Sequence, residues 1–90
     1  MKIGIVILNW NGLDLLRKYL NEIILNSDNS TIYIIDNNSS DESVLYVRNN
    51  YTEVKVISLD KNYGFAEGYN VGLKKVEEEY VCIINNDILV

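Results

Sequence analysis

The sequence contains no histidine, no proline and a single cysteine, Cys82. Without histidine there is neither Ser-His-Asp chemistry nor a His-ligated zinc site. One cysteine cannot form a disulfide within the chain, which fits a reducing compartment. Cys82 lies in the apolar run Val81-Cys82-Ile83-Ile84 and is expected to be a small core residue. No apolar run approaches the ~18 residues needed to cross a bilayer. The N-terminal "IGIVIL" follows one lysine, is too short for a signal-peptide core and has no small-residue cleavage site. A cytoplasmic protein with no membrane-spanning segment is the expectation, and the Asn-x-Ser/Thr triplets at Asn29, Asn37, Asn38 and Asn50 then read as coincidence. Basic charge is also scarce, with 8 Lys and Arg against 13 Asp and Glu and a formal charge of −5. A chain of that sign repels a polyanion, so nucleic acid is excluded as a partner. A small phosphorylated ligand is compatible with it if a metal ion supplies the positive charge.

What is present is a globular composition, 48% hydrophobic and 23% charged over 90 residues. That length makes one domain, able to hide roughly 60–65% of its unfolded surface. Ile3 to Leu8 is a continuous apolar run rich in β-branched residues and predicts a buried strand. Asn11-Gly12 breaks it, and Leu13, Leu16, Leu20 and Ile23 or Ile24 recur at helical spacing. After the turn cluster "NSDNS", Thr31 to Ile35 predicts a second strand ending in "DNNSS". Ser39 followed by Glu42 has the spacing of a capping box and predicts a second helix starting there and ending near Asn49-Asn50. Val54 to Leu59 predicts a third strand. A third helix follows from Gly64, marked by Ala66, Tyr69, Leu73 and Val76, with Glu77-Glu78-Glu79 on a solvated turn beyond it. Tyr80 to Ile84 predicts a fourth strand, apolar on both faces.

The order βαβαβαβ with strands apolar throughout implies a parallel sheet covered by helices on both faces. Right-handed crossovers carry strands 1, 2 and 3 outward in one direction, and strand 4 returns to the free side of strand 1, giving the order 3-2-1-4. The reversal between strands 1 and 4 is a topological switch point, where ligands bind outside the carboxyl ends of the strands. "NWNG" after strand 1 and "NND" after strand 4 both open there.

Asp36 ends strand 2, where a carboxylate can accept hydrogen bonds from a ribose hydroxyl or a base N–H. It could instead cap the following helix, but Ser39 or Ser40 already suits that task, which favours the ligand. A dinucleotide fold would also need G-x-G-x-x-G after strand 1, and only Gly12 is there. In "GFAEGYNVG", glycines 64, 68 and 72 recur every fourth residue, each costing about 0.8–1 kcal/mol relative to alanine inside a helix. Either the helix packs very close to the sheet, or its N-terminus approaches an anionic ligand; both can hold. Asn85-Asn86-Asp87 offers oxygen donors suited to a hard cation, Mg²⁺ or Mn²⁺, held largely through the diphosphate of a ligand.

"IVILNWNG", "IIDNNSSDES", "NYGFAEGYNVGL" and "YVCIINND" resemble, in order and spacing, four blocks of the N-terminal half of family 2 glycosyltransferases of the GT-A (Rossmann-like) fold. The likeness is greatest to the branch of rhamnosyltransferase-like enzymes of bacterial polysaccharide assembly, and it covers essentially all of the chain. The resemblance implies that Leu8, Asn9, Trp10 and Asn11 line the nucleotide base, with the Trp10 ring close to it. It implies that Asp36 and Asn37 stand where members recognise base and ribose, and that Asn62 and Gly64 border the nucleotide. It places Asn86 in the metal-binding D-x-D segment and makes Asp87 the metal carboxylate. Two positions depart from the pattern: many members carry an acid where Asn37 stands, and the first acid of D-x-D is Asn85.

In the family, the acceptor site and the catalytic base follow the D-x-D segment, so no catalytic residue is expected within residues 1–90. The expectation is a truncated donor-binding GT-A subdomain for a nucleoside-diphosphate sugar with a divalent metal, inactive alone. The rival is a non-catalytic nucleotide-binding or interaction module; a receiver-type phosphoacceptor fails because strand 1 lacks an acidic pair. Strand 4 would be left as a sheet edge, and self-association through it, with Ile88-Leu89-Val90 buried in the contact, is expected.

Overall fold

A computed structural model describes residues 3–27 and 29–85. The elements are β1 (Ile3–Asn9), α1 (Leu13–Leu25), β2 (Ser30–Asp36), α2 (Ser43–Asn50), β3 (Lys55–Ser58), α3 (Phe65–Leu73) and β4 (Tyr80–Asn85). All strand pairs are parallel and the sheet runs β3-β2-β1-β4, the expected order. Asn9 stands opposite Asp36, and Leu8 stands between Ile35 and Asn85. β1 and β4 therefore finish side by side at the end of the sheet where the strand order reverses.

Alternation along the strands divides the sheet's side chains between two cores. On one face Ile5, Ile7, Ile32 and Ile34 pack with Leu16 and Leu20 of α1 and Val47 of α2. On the other face Val6, Leu8, Tyr33, Ile35 and Ile57 pack with Tyr69 of α3. Leu16 and Leu20 are one turn apart on α1, as are Ser43 and Val47 on α2, so each helix buries a single stripe. Ile7, Ile34, Leu20 and Val47 are essentially inaccessible, and burying side chains of this size contributes about 1.5–3 kcal/mol each.

The third helix shows what its glycines do. Gly64 lies before the helix rather than on its face, with φ of 80°. Gly68 and Gly72 are buried against the sheet, where a Cβ on Gly72 would fall 2.5 Å from Cδ1 of Ile35 and one on Gly68 would fall 3.2 Å from Cδ1 of Leu8. Close approach of helix and sheet is thus the reason for glycine at 68 and 72. Glu77, Glu78 and Glu79 follow the helix as expected, and Glu78 accepts a hydrogen bond from the Tyr33 hydroxyl at 2.7 Å.

β4 corrects one expectation. Cys82 is exposed rather than a core residue. Tyr80, Val81 and Ile83 are 51%, 38% and 49% exposed, in keeping with the sheet edge expected of this strand. The helices cover the central strands, and β4 is one of the two edges of the sheet among the described residues. Only Ile84 near its end packs partly against the α1 side. No helix among the described residues is long and apolar enough to cross a membrane.

Candidate functional site

Two polar clusters stand at the carboxyl ends of the strands, one on each face. The first is centred on Asn9, the fully buried last residue of β1. Its Nδ2 donates to Oδ1 of Asp36 at 2.8 Å and to Oγ of Ser43 at 2.9 Å, with Oγ of Ser39 at 3.3 Å. Asp36 is 3% exposed. Its Oδ1 also accepts from the Ser39 hydroxyl at 2.6 Å, and its Oδ2 accepts from the Ser39 N–H at 2.9 Å. A carboxylate this buried is tolerable because several donors converge on it. Asp36 thus folds the start of the β2–α2 loop over itself and ties that loop to β1.

The same loop is sewn to the β1–α1 connection. Asn11 adopts φ of 50°, a left-handed conformation that asparagine tolerates better than most residues. Its Oδ1 accepts from the N–H groups of Ser40 and Asp41 at 2.7 and 3.2 Å, while its own N–H donates to Oγ of Ser39 at 2.9 Å. Asp41 then spans two helix starts. Its Oδ2 accepts from the Leu13 N–H of α1 at 3.2 Å, and its Oδ1 accepts from the N–H of Ser43 in α2 at 3.0 Å and from the Ser43 hydroxyl. Burial pushes the Asp41 carboxyl up, but the Ser43 hydroxyl and the N–H groups of Ser43 and Leu13 outweigh it and hold it below its ordinary value. One carboxylate so placed satisfies orphan donors and opposes the positive dipole ends of both helices. The expected capping box is therefore corrected: α2 begins at Ser43, Glu42 makes no side-chain cap, and the Ser39 hydroxyl serves Asp36.

The second cluster is on the α3 side. Asn37 is 2% exposed; its Oδ1 accepts from the Tyr63 N–H at 2.9 Å and its Nδ2 donates to the Gly64 carbonyl at 2.8 Å. Asn62 closes the turn from without, its Oδ1 accepting from the Gly64 N–H at 2.7 Å. Two large aromatic side chains remain open to solvent here, Trp10 just past β1 and Phe65 at the start of α3, where its ring meets Tyr69 edge-on at 5.2 Å.

Of the residues singled out from the sequence, Trp10, Asn11, Asn62 and Gly64 are exposed at this end of the sheet. Leu8, Asn9, Asp36 and Asn37 are buried beneath them. Asn86 and Asp87 lie outside the described residues. Among the described residues no cluster of three or more acidic, histidine or cysteine side chains could hold a metal. Asp41, Ser43 and Phe65 join the site without having been expected from the sequence. Only Ser43 and Asp41 carried any local hint, as small polar residues at a helix start.

The family model of glycosyl transferase family 2 matches residues 4–90. Among curated proteins, none matches the sequence closely. Among solved structures, the chain is similar to the mannosyltransferase PcManGT from Pyrobaculum calidifontis in complex with GDP-Man and Mn²⁺, at TM-score 0.78 and 19% identity over 94% of this chain and 27% of that one. It is also similar to S. aureus TarS 1-349 in complex with UDP, at TM-score 0.83 and 24% identity over 97% of this chain and 28% of that one. The same TarS fragment in complex with UDP-GlcNAc superposes with TM-score 0.82 at 24% identity, over 97% of this chain and 27% of that one. Likeness at these identities speaks for the fold, and the chain spans little more than a quarter of the length of these structures. The match to the family model over nearly its whole length decides the matter: the chain belongs to glycosyl transferase family 2.

Proposed function

We propose that residues 1–90 form the donor-binding part of a glycosyltransferase, taking a nucleoside-diphosphate sugar at the carboxyl ends of β1, β2 and β4. The observation that carries this reading is the pair of buried polar clusters under the strand ends of a family 2 chain. Burying Asn9, Asp36 and Asn37 costs stability unless each is fully bonded, and a fold needing only a core would not place them there. Trp10, Asn11, Asn62 and Gly64 form the lining, with the exposed Trp10 ring available to stack on a base. Leu8, Asn9, Asp36 and Asn37 hold that lining from beneath. The likeness of the four sequence blocks to rhamnosyltransferase-like enzymes favours a pyrimidine nucleoside diphosphate. The ligands of the solved relatives, GDP-Man in one and UDP or UDP-GlcNAc in the other, support a nucleoside-diphosphate sugar as the ligand class.

A divalent metal fits the donor types of the sequence Asn85-Asn86-Asp87, whose amide oxygens and carboxylate are hard ligands. The carboxylates of Asp36 and Asp41 are already committed to three hydrogen bonds each within the fold. The Mn²⁺ of the mannosyltransferase complex supports metal use in this fold. When bound, Mg²⁺ or Mn²⁺ would stabilise the charge of the departing diphosphate as the sugar passes to an acceptor hydroxyl. A cytoplasmic location accords with this donor chemistry. Calorimetric titration with UDP, dTDP and GDP, each with and without Mn²⁺, tests the reading. Binding of one diphosphate, tighter with Mn²⁺, is expected; no binding of any of the three under either condition would leave the interaction-module reading in its place.

A further inference from the structure

We infer that Asn37 is a positioning residue: it locks the Asn62–Gly64 segment and the start of α3 to the end of β2, and the lock requires a side-chain amide rather than a carboxylate. The functional half of this inference rests on the nucleotide-binding reading; the structural half does not.

The two partners of Asn37 have opposite polarity. Tyr63 presents an N–H, which can only donate, and Gly64 presents a carbonyl, which can only accept. One side chain must therefore offer an acceptor and a donor side by side, and the partners fix which end of the amide is oxygen. The Gly64 carbonyl also receives the Gly68 N–H at 3.2 Å, the first backbone bond of α3, so a shift of Gly64 is passed to the helix. Space is tight on the helix side, since a Cβ at Gly68 would lie 3.0 Å from Nδ2 of Asn37. On the strand side the Asn37 N–H donates to the Asn9 carbonyl at 2.8 Å, which ties the lock to β1. Gly64, held at φ of 80°, completes a segment whose shape is set from both ends.

In this chain a carboxylate at 37 would set an oxygen lone pair against the Gly64 carbonyl at 2.8 Å, in a nearly inaccessible place. Only the protonated acid could donate there and restore the pair. The titratable groups on the elements packed around residue 37 are Asp36 beside it, Asp60, Lys61 and Tyr63 before α3, and Glu67 in the first turn of α3. β1 contributes none at Leu8 and Asn9. Burial and the excess of acids both favour the protonated form, so an introduced acid should protonate above the usual carboxylate range.

The test compares wild type, Asn37→Asp and Asn37→Ser by amide hydrogen exchange at Tyr63 and Gly68, expressed as protection factors, and by UDP or dTDP affinity, each as a ratio to wild type at the same pH. For Asn37→Asp at pH 7, where the carboxylate still accepts from the Tyr63 N–H but repels the Gly64 carbonyl, a fall of about tenfold in Gly68 protection and in affinity is expected, with recovery towards wild type near pH 4.5, since the bond to Gly64 is remade on protonation. Asn37→Ser, too short to reach both partners, should be loosened equally at both pH values. Wild-type Gly68 protection and affinity in Asn37→Asp at pH 7, or a loss that does not recover in acid, overturns the inference. If Asn37→Asp does not fold at pH 7, Asn37→Ser decides: wild-type protection at Tyr63 in that variant overturns the lock. If wild type binds neither nucleotide, the donor-site reading fails, while the exchange measurements still decide whether the amide holds the segment.

Discussion

Gly72→Ala adds one methyl group where α3 crosses the sheet, and its effect follows from competing terms. Alanine should gain at most about 1 kcal/mol over glycine from helix propensity. Against this, the new Cβ would stand 2.5, 2.6 and 2.7 Å from Cδ1, Cγ2 and Cγ1 of Ile35. Ile35 is fully buried on β2, an interior strand, and a β-branched side chain has little freedom to turn away. Overpacking of well-filled cores costs about 1–3 kcal/mol, and three such contacts place this site in the upper half of that range. The net expectation is a loss of about 1–2 kcal/mol, seen as a fall in Tm of roughly 5–15 °C for a domain of this size. A double-mutant cycle isolates the cause. Ile35→Ala alone should cost about 2–4 kcal/mol. Within that background Gly72→Ala should become neutral or mildly stabilising, because the added methyl enters the space vacated. Urea unfolding of the four proteins gives the coupling energy, expected at about 1–3 kcal/mol. An equal cost of Gly72→Ala in both backgrounds, or a stabilised single variant, would refute the packing argument.

Asp87→Ala should abolish the Mn²⁺ dependence of nucleotide binding, whereas Asp36→Ala should weaken binding even without metal; equal loss of both effects in both variants would sink the separate roles. Asp41→Asn should cost about 1 kcal/mol at neutral pH, because an amide cannot accept at both helix starts. The Asp41 carboxyl is held below its ordinary value in the folded chain. Its contribution is therefore present above about pH 4, the unfolded value, and is lost as pH falls through the folded one. The urea midpoints of the two proteins should differ more at pH 7 than at pH 3, and a constant difference would count against the double cap. The exposed edge β4 should promote self-association, visible as a mass that rises with concentration in light scattering, and the Cys82 thiol should react without denaturant. A chain that stays monomeric at high concentration rules out the strand contact.

The order of strands and helices was legible because the β-branched runs are separated by helical spacing, and parallel crossovers then leave few arrangements. The close contact of α3 was one of two readings that the glycine spacing allowed, since glycines four residues apart inside a helix cost stability unless a neighbour lies too near for a side chain. Capping was not legible, because the acceptor for the Leu13 N–H is Asp41, 28 residues away, and local spacing pointed instead to Ser39 and Glu42. Cys82 misled for a related reason: an apolar run shows that a strand can be buried but not whether anything covers it. The roles within the site divided likewise. Asp36 and Asn37 could be placed at a strand end from the sequence, but the pairing of Asn9 with Asp36 and of Asn37 with Tyr63 and Gly64 could not.

Donor binding at the strand ends is tested most directly by adding UDP, dTDP or GDP with Mg²⁺ to the ¹⁵N-labelled chain and following every backbone amide. Saturable shifts should cluster at Trp10 and Asn11, at Asp36 to Asn38, and at Asn62 to Gly64, with the amides of α1 beyond its first turn unmoved. Saturable shifts confined to the far end of the sheet, or none at millimolar nucleotide, would contradict it.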